Sequence, residues 1–153
     1  LYGSTPVTDK SARDLDLQPA MEFSAQIIAL QTVNAGDGIG YGGRWTAMQD
    51  TKTALVSLGY GDGYPRVVSA DAYVCVIDET NNQSYPCAVI GRVAMDMIVI
   101  DVSAVPNSVA LNSKVLLWGD APHVDEVAAH AETISYELLC RLSARQTRNI
   151  TES

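Results

Sequence analysis

Three stretches of this sequence crowd tyrosine, arginine and acid around glycine. They are Gly38-Ile39-Gly40-Tyr41-Gly42-Gly43-Arg44-Trp45, Gly59-Tyr60-Gly61-Asp62-Gly63-Tyr64-Pro65-Arg66 and Gly91-Arg92-Val93-Ala94-Met95-Asp96-Met97. Tyrosine carries a proton, arginine grips a carboxylate, and glycine lets a peptide N–H come close to a ligand. The first stretch fits the G-x-G-x-x-G string of dinucleotide-binding folds. That motif needs a crossover helix behind it, and the residues from Arg44 to Thr53 are polar with no helical apolar stripe. No Lys-Ser/Thr pair follows to make a phosphate loop. What remains is a strained turn presenting Tyr41, or a plain glycine-rich turn with a half-buried tyrosine. The second stretch carries an Asp-Gly tight-turn signal and reads as a polar rim or as a solvated hairpin. The third puts Arg92 and Asp96 between apolar strands, which calls for an ion pair or a solvent-facing rim. Residue types and spacing leave each alternative open. His123 and His130 are seven apart with no carboxylate or cysteine at ligand spacing, so no metal site is expected.

The elements that would position these stretches are mostly strands. Met21, Phe23, Ala25 and Ile27 alternate with Glu22, Ser24 and Gln26, which predicts a half-buried strand over 21–33, closed by a turn at Gly36-Asp37-Gly38. Further strands are predicted at 53–58, 72–77, 84–93, 97–102 and 114–118, separated by Gly61-Asp62-Gly63, Asn81-Asn82 and Pro106-Asn107. Two helices are predicted. One spans 124–131, with Asp125 and Glu126 in its first turn, where the helix dipole favours acids. The other spans 135–143, where Tyr136, Leu139, Cys140 and Ser143 recur at helical spacing. The fold class is therefore mostly β: an antiparallel, Greek-key-like barrel with two short helices.

Composition narrows the partners. The chain has 153 residues, 47% hydrophobic and 18% charged, with a formal net charge of -8. That suits one globular domain and argues against nucleic acid or an anionic membrane surface, both of which need clustered cations. Cys75, Cys87 and Cys140 are odd in number and form no Cys-x-x-Cys pair. Free thiols and a cytoplasmic setting follow.

Six motifs in order carry a resemblance. They are Leu17-Gln18-Pro19-Ala20-Met21, Gly40-Tyr41-Gly42-Gly43-Arg44-Trp45, the whole of 59–66, Gly91-Arg92-Val93-Ala94-Met95-Asp96, Leu117-Trp118-Gly119 and Ser135-Tyr136-Glu137-Leu138-Leu139-Cys140. Together they resemble the C-terminal domain of alanine racemases, and Leu1-Tyr2-Gly3 resembles the exit from that family's preceding domain. The resemblance implies an N-terminal (β/α)8 barrel holding pyridoxal phosphate on a lysine. It implies a homodimer in which each site is completed by the partner's C-terminal domain. On this reading residues 1–16 are a linker or remnant of the barrel domain, and 17–153 are the C-terminal β domain. The reaction implied is L- to D-alanine interconversion by two bases, a lysine from the barrel and a tyrosine. Tyr41 matches that tyrosine base. Tyr60, Arg66 and Arg92 match the substrate entryway. Met95 matches the residue whose backbone N–H holds the substrate carboxylate, with Asp96 beside it. Tyr136 matches a tyrosine that bonds the cofactor phosphate.

Some positions depart from the family pattern. Trp45 stands for the commoner Tyr, and Ala94 for Cys or Ser. Arg145-Gln146-Thr147-Arg148 replaces Arg-Val-Pro-Arg, and the loop over 78–83 is longer than usual. These bear on substrate preference more than on reaction type. The rival readings are a racemase of broader specificity, serine included, and a stand-alone binding or assembly module of the same fold.

Overall fold

The computed structural model describes residues 2–7, 10–40, 42 and 45–150. Tyr41 lies outside the described residues. The strands in chain order are β1 (Phe23–Val33), β2 (Gly38–Ile39), β3 (Trp45–Thr46), β4 (Thr51–Val56), β5 (Tyr73–Asp78), β6 (Gln83–Ile90), β7 (Ile98–Asp101) and β8 (Lys114–Trp118). Two helices follow, α1 (Val124–His130) and α2 (Ser135–Cys140). Six of the strands close into a barrel in the order β1-β4-β7-β6-β5-β8, with every pairing antiparallel. The mostly-β barrel with two short helices is the architecture that the alternation and turn signals predict.

β1 makes closure possible because it serves two neighbours. Its first part pairs with β8, Ala25 opposite Val115, and its second part pairs with β4, Leu30 opposite Ala54. The register shifts between Phe23 and Ser24 and again between Ile27 and Ala29. Such irregularities bend a strand and add twist, which lets one strand turn a barrel corner. Strand β4 starts and ends two residues before the predicted 53–58, at Thr51 and Val56. The ladder gives way where the chain must turn towards Gly59, although Ser57 N–H still donates to the Gln26 carbonyl.

The barrel interior is filled from alternating β-branched positions. Val56, Val74, Val76, Ile100 and Val115 are fully buried. Burying each such side chain contributes about 1.5–3 kcal/mol, as an upper estimate. An aromatic stack caps one side. Phe23 meets Trp118 with ring centroids 4.4 Å apart, and Tyr64 stacks on Trp118 at 6.5 Å.

Helix α1 opens as its acidic first turn predicts. Glu126 accepts from the His123 N–H at 2.7 Å, completing a capping box. Helix α2 stops at Cys140, short of the predicted 143. The cause is a competing bond: Ser143 N–H donates to the Asp62 carbonyl at 3.1 Å, drawing the chain out of the helix and onto another turn. Near the start of the chain, Ser4 is fully buried. Its hydroxyl donates to Asp125 at 2.9 Å and shares a short bond with Ser135, while Thr5 N–H donates to the same carboxylate at 3.0 Å.

Candidate functional site

The turn carrying Tyr60 is pinned at both ends by core residues. Leu58 is fully buried and Tyr64 is 1% exposed, whereas Tyr60 between them is 38% exposed. Tyr64 thus belongs to the core rather than to a polar rim, and burial pushes its phenol well above the ordinary range. Tyr60–Asp62 form a single 3-10 turn rather than a hairpin with solvated side chains. The reason is Asp62, which is buried and accepts from the Gly59 N–H at 2.9 Å, closing the turn from inside. Gly63 exits with φ +118, a conformation that needs glycine.

This turn lies directly on the third glycine-led stretch. Tyr60 N–H donates to the Ala94 carbonyl at 3.0 Å, and Gly61 N–H donates to the Met95 carbonyl at 2.9 Å. A Cβ on Gly59 would stand 2.2 Å from the Ala94 oxygen, so only glycine allows the approach. The Met95 carbonyl is taken, whereas its N–H donates to no other described residue. Met95 is half exposed, so the two turns make an open rim rather than an enclosed pocket. Arg66 places its guanidinium 5.7 Å from the Tyr60 ring centroid, within cation–π range.

Strands β2 and β3 pair as a small hairpin, Ile39 opposite Trp45, and Tyr41 falls in the connection between them. The hairpin rests on the start of the 91–97 stretch. A Cβ on Gly40 would lie 3.5 Å from the Arg92 nitrogen, and one on Gly91 would lie 3.3 Å from Ile39. The structure therefore gathers Tyr60, Arg66 and Met95 on one rim and sets the Arg92 backbone beside Gly40. Tyr136 is on α2, 38% exposed, with Ser135 and Leu138 buried beside it.

Asp96 does not pair with Arg92. Its carboxylate accepts from Arg145 at 2.6 Å, and the Arg145 Nε lies 3.7 Å from Asp62. Bonding to Asp96 and the charge of Asp62 raise the guanidinium's pKa further above its already high value.

A family model described as "Alanine racemase, C-terminal domain" matches residues 20–150. The chain belongs to this family. The alanine racemase of Psychrobacter sp. (strain PRwf-1) is 50% identical over 154 residues, covering 98% of this chain and 41% of the relative. The solved biosynthetic alanine racemase of Pseudomonas aeruginosa superposes with a TM-score of 0.91 at 41% identity, over 99% of this chain and 40% of that one. A more distant structure is alanine racemase from Bartonella henselae with covalently bound pyridoxal phosphate. It has a TM-score of 0.81 at 24% identity, covers 97% of this chain and 39% of that one, and shares the fold. This racemase-family chain thus spans about two-fifths of the length of these relatives.

The family motifs point to Tyr60, Arg66, Arg92 and Met95 but pass over the residues that hold the racemase-family rim together. Asp62 reads in sequence as the polar tip of an Asp-Gly turn. Arg145 and Gln146 stand out only as part of a departure from Arg-Val-Pro-Arg. In the fold Gln146 donates to Asp62 at 2.7 Å, a bond that a valine there could not make. Among the described residues Lys52 is set against Asn107, and Lys114 pairs with Glu22 at 2.5 Å. The sequence's third lysine, Lys10, is exposed near the start of the chain, where its carbonyl accepts from Thr5 Oγ1 at 2.8 Å. Tyr136 is 38% exposed and the Met95 N–H meets no described partner, so each can donate a hydrogen bond to an anionic group such as a phosphate or a carboxylate.

Proposed function

We propose that the full-length protein interconverts L- and D-alanine with pyridoxal phosphate, and that this domain supplies one rim of the site. The observation that carries the reading is the bonding of the Tyr60 turn to the Met95 turn, which brings an exposed tyrosine and a peptide N–H with no described partner onto one rim. Tyr41 is the proposed proton carrier on one face of the substrate α-carbon. A free phenol has a pKa of about 10, so acting near pH 7 takes roughly 4 kcal/mol of differential stabilisation. A cation from outside this chain would supply part of it. The Met95 N–H holds the substrate carboxylate, Tyr60, Arg66 and Arg92 line the approach, and Tyr136 bonds the cofactor phosphate. Bound pyridoxal phosphate would draw electron density from the α-carbon, which makes its proton removable.

The open rim and the two-fifths coverage of the relatives support an N-terminal (β/α)8 domain and a homodimer in which this rim serves the partner's site. Residues 1–16 are then the junction between domains, docked through Ser4, and 17–153 the β domain proper. Among the described residues no helix is long and apolar enough to cross a membrane. The free cysteines agree with a cytoplasmic location. The test is racemisation of L-alanine by the full-length protein with pyridoxal phosphate, with L-serine as a comparison substrate. Turnover with alanine preferred is the expected result. No racemisation by that protein overturns the reading, and equal use of serine replaces it with a broader racemase.

A further inference from the structure

The Arg145 guanidinium occupies the space over a glycine and between two carboxylates. A Cβ on Gly61 would stand 2.8 Å from Arg145 Nη1 and 3.0 Å from the Met95 Cγ, so the guanidinium lies over the Tyr60 turn next to Met95. One arm donates to Asp96 at 2.6 Å, and Nε faces Asp62 at 3.7 Å. Asp62 is 4% exposed and already accepts from Gly59 N–H and Gln146. Its geometry is therefore satisfied without Arg145. Asp96 is different. Its side chain is about half exposed, and Arg145 is its ion-pair partner among the described residues.

That pairing matters because Asp96 follows Met95 directly. A carboxylate arriving at the Met95 N–H meets the Asp96 charge one residue away. At a few ångströms and partial exposure, two like charges repel by an amount that weakens binding measurably. A guanidinium bonded to Asp96 removes most of that repulsion and keeps the acid turned towards the 145–146 segment.

Resting on the reading of Met95 as the carboxylate holder, we propose that Arg145 is a positioning residue that neutralises and restrains Asp96 so that the rim accepts a carboxylate substrate. Arg145 touches no reacting atom in this scheme. Its loss therefore raises KM for the amino acid more than it lowers kcat. The loss is also reversible in one specific way: removing the Asp96 charge as well should restore binding, although no ion pair is regained.

The experiment uses the full-length protein with pyridoxal phosphate and L-alanine as substrate. Arg145→Ala is expected to raise KM about tenfold with kcat changed by less than about threefold. Arg145→Lys, which keeps the charge, should stay near wild type. The double variant Arg145→Ala with Asp96→Asn should recover most of the lost KM. A purely structural brace predicts the opposite, since the double variant lacks the pair just as the single one does. A KM unchanged in Arg145→Ala, or a double variant no better than the single, overturns the proposal while leaving the racemase reading intact. A wild-type protein that does not racemise alanine overturns both. Thermal melts of each variant show whether the fold is retained, and the Lys variant carries the test if Arg145→Ala does not fold: a Lys variant with tenfold raised KM also overturns it.

Discussion

Gly61 donates its peptide N–H to the Met95 carbonyl at 2.9 Å, so the turn that exposes Tyr60 and the turn that exposes Met95 are joined backbone to backbone. The join leaves the neighbouring Met95 N–H pointing to no described partner. A substitution that pries the turns apart should therefore disturb substrate binding before it disturbs the barrel.

Gly59→Ala is the sharpest such change. Its Cβ would stand 2.2 Å from the Ala94 oxygen and 2.5 Å from the Met95 oxygen, both backbone atoms that cannot swing aside. Overpacking of this kind typically costs about 1–3 kcal/mol. Chemical denaturation should show a lowered midpoint, and the full-length protein should show a raised KM for alanine. Gly36→Ala is the contrast, because a Cβ there meets nothing within 4 Å, although φ +91 adds backbone strain. It should leave KM unchanged.

Tyr41→Phe keeps the ring and removes one hydroxyl. Stability should change by under about 1 kcal/mol. Racemisation by the full-length protein should fall by about 10² to 10⁴-fold, the usual worth of a positioned base. The loss should also be lopsided. A lysine on the opposite face could still exchange the α-proton of D-alanine with solvent deuterium, while exchange into L-alanine and net racemisation collapse. Following α-proton exchange and chirality separately in heavy water checks both parts. Racemisation near the wild-type rate would make Tyr41 a packing residue.

The chain of residues 1–153 by itself should not racemise alanine, since on the proposed reading the cofactor lysine belongs to the (β/α)8 domain. Chiral chromatography of L-alanine incubated with it and pyridoxal phosphate should show no D-alanine beyond the rate of the free cofactor.

Asp78 should make the barrel sensitive to acid. It accepts from Ser108 Oγ at 2.5 Å and from Thr80 Oγ1 and N–H at 2.6 and 2.9 Å. The Ser108 bond, then the Thr80 hydroxyl, hold its carboxyl below the usual range. A depressed folded pKa gives stability that is full above the unfolded value of about 3.9 and fades as pH falls through the folded value. Asp78→Asn should therefore lower the urea midpoint at pH 7, and the gap to wild type should narrow by pH 3.

The thiols should react unequally. Burial pushes Cys87 up to about 12 and also raises Cys75, while Cys140 is exposed. Only the thiolate attacks alkylating reagents. Iodoacetamide at pH 8 should label Cys140 first in the native chain, with Cys75 and Cys87 labelled on unfolding; peptide mass mapping reads the order.

The barrel was legible because strand alternation is local. Val74 and Val76 announce a buried face within β5 by themselves, as Phe23, Ala25 and Ile27 do within β1. The rim was legible only in part. Tyr60 and Met95 could be named through their glycine-rich settings and the family resemblance, but nothing in either stretch says that they meet. Tyr64 looked like a second rim tyrosine, and only its stacking on Trp118 assigns it to the core. Asp62 and Arg145 escaped because their partners are distant in the chain and their own neighbours carry no periodic pattern. Charge pairing of this kind has no local signature.

Because β1 is shared by β8 and β4, the barrel has no seam that can be sealed early. Ala25 meets Val115 only after nearly every other strand has been made, and Ser4 finds Asp125 and Ser135 later still. Folding dominated by such distant pairings is slow, since chain entropy is lost before the contacts that compensate for it form. During synthesis, β1 must wait with one edge open until the last strand has left the ribosome. The exposed edge of β1 is then the segment most in need of protection from other chains.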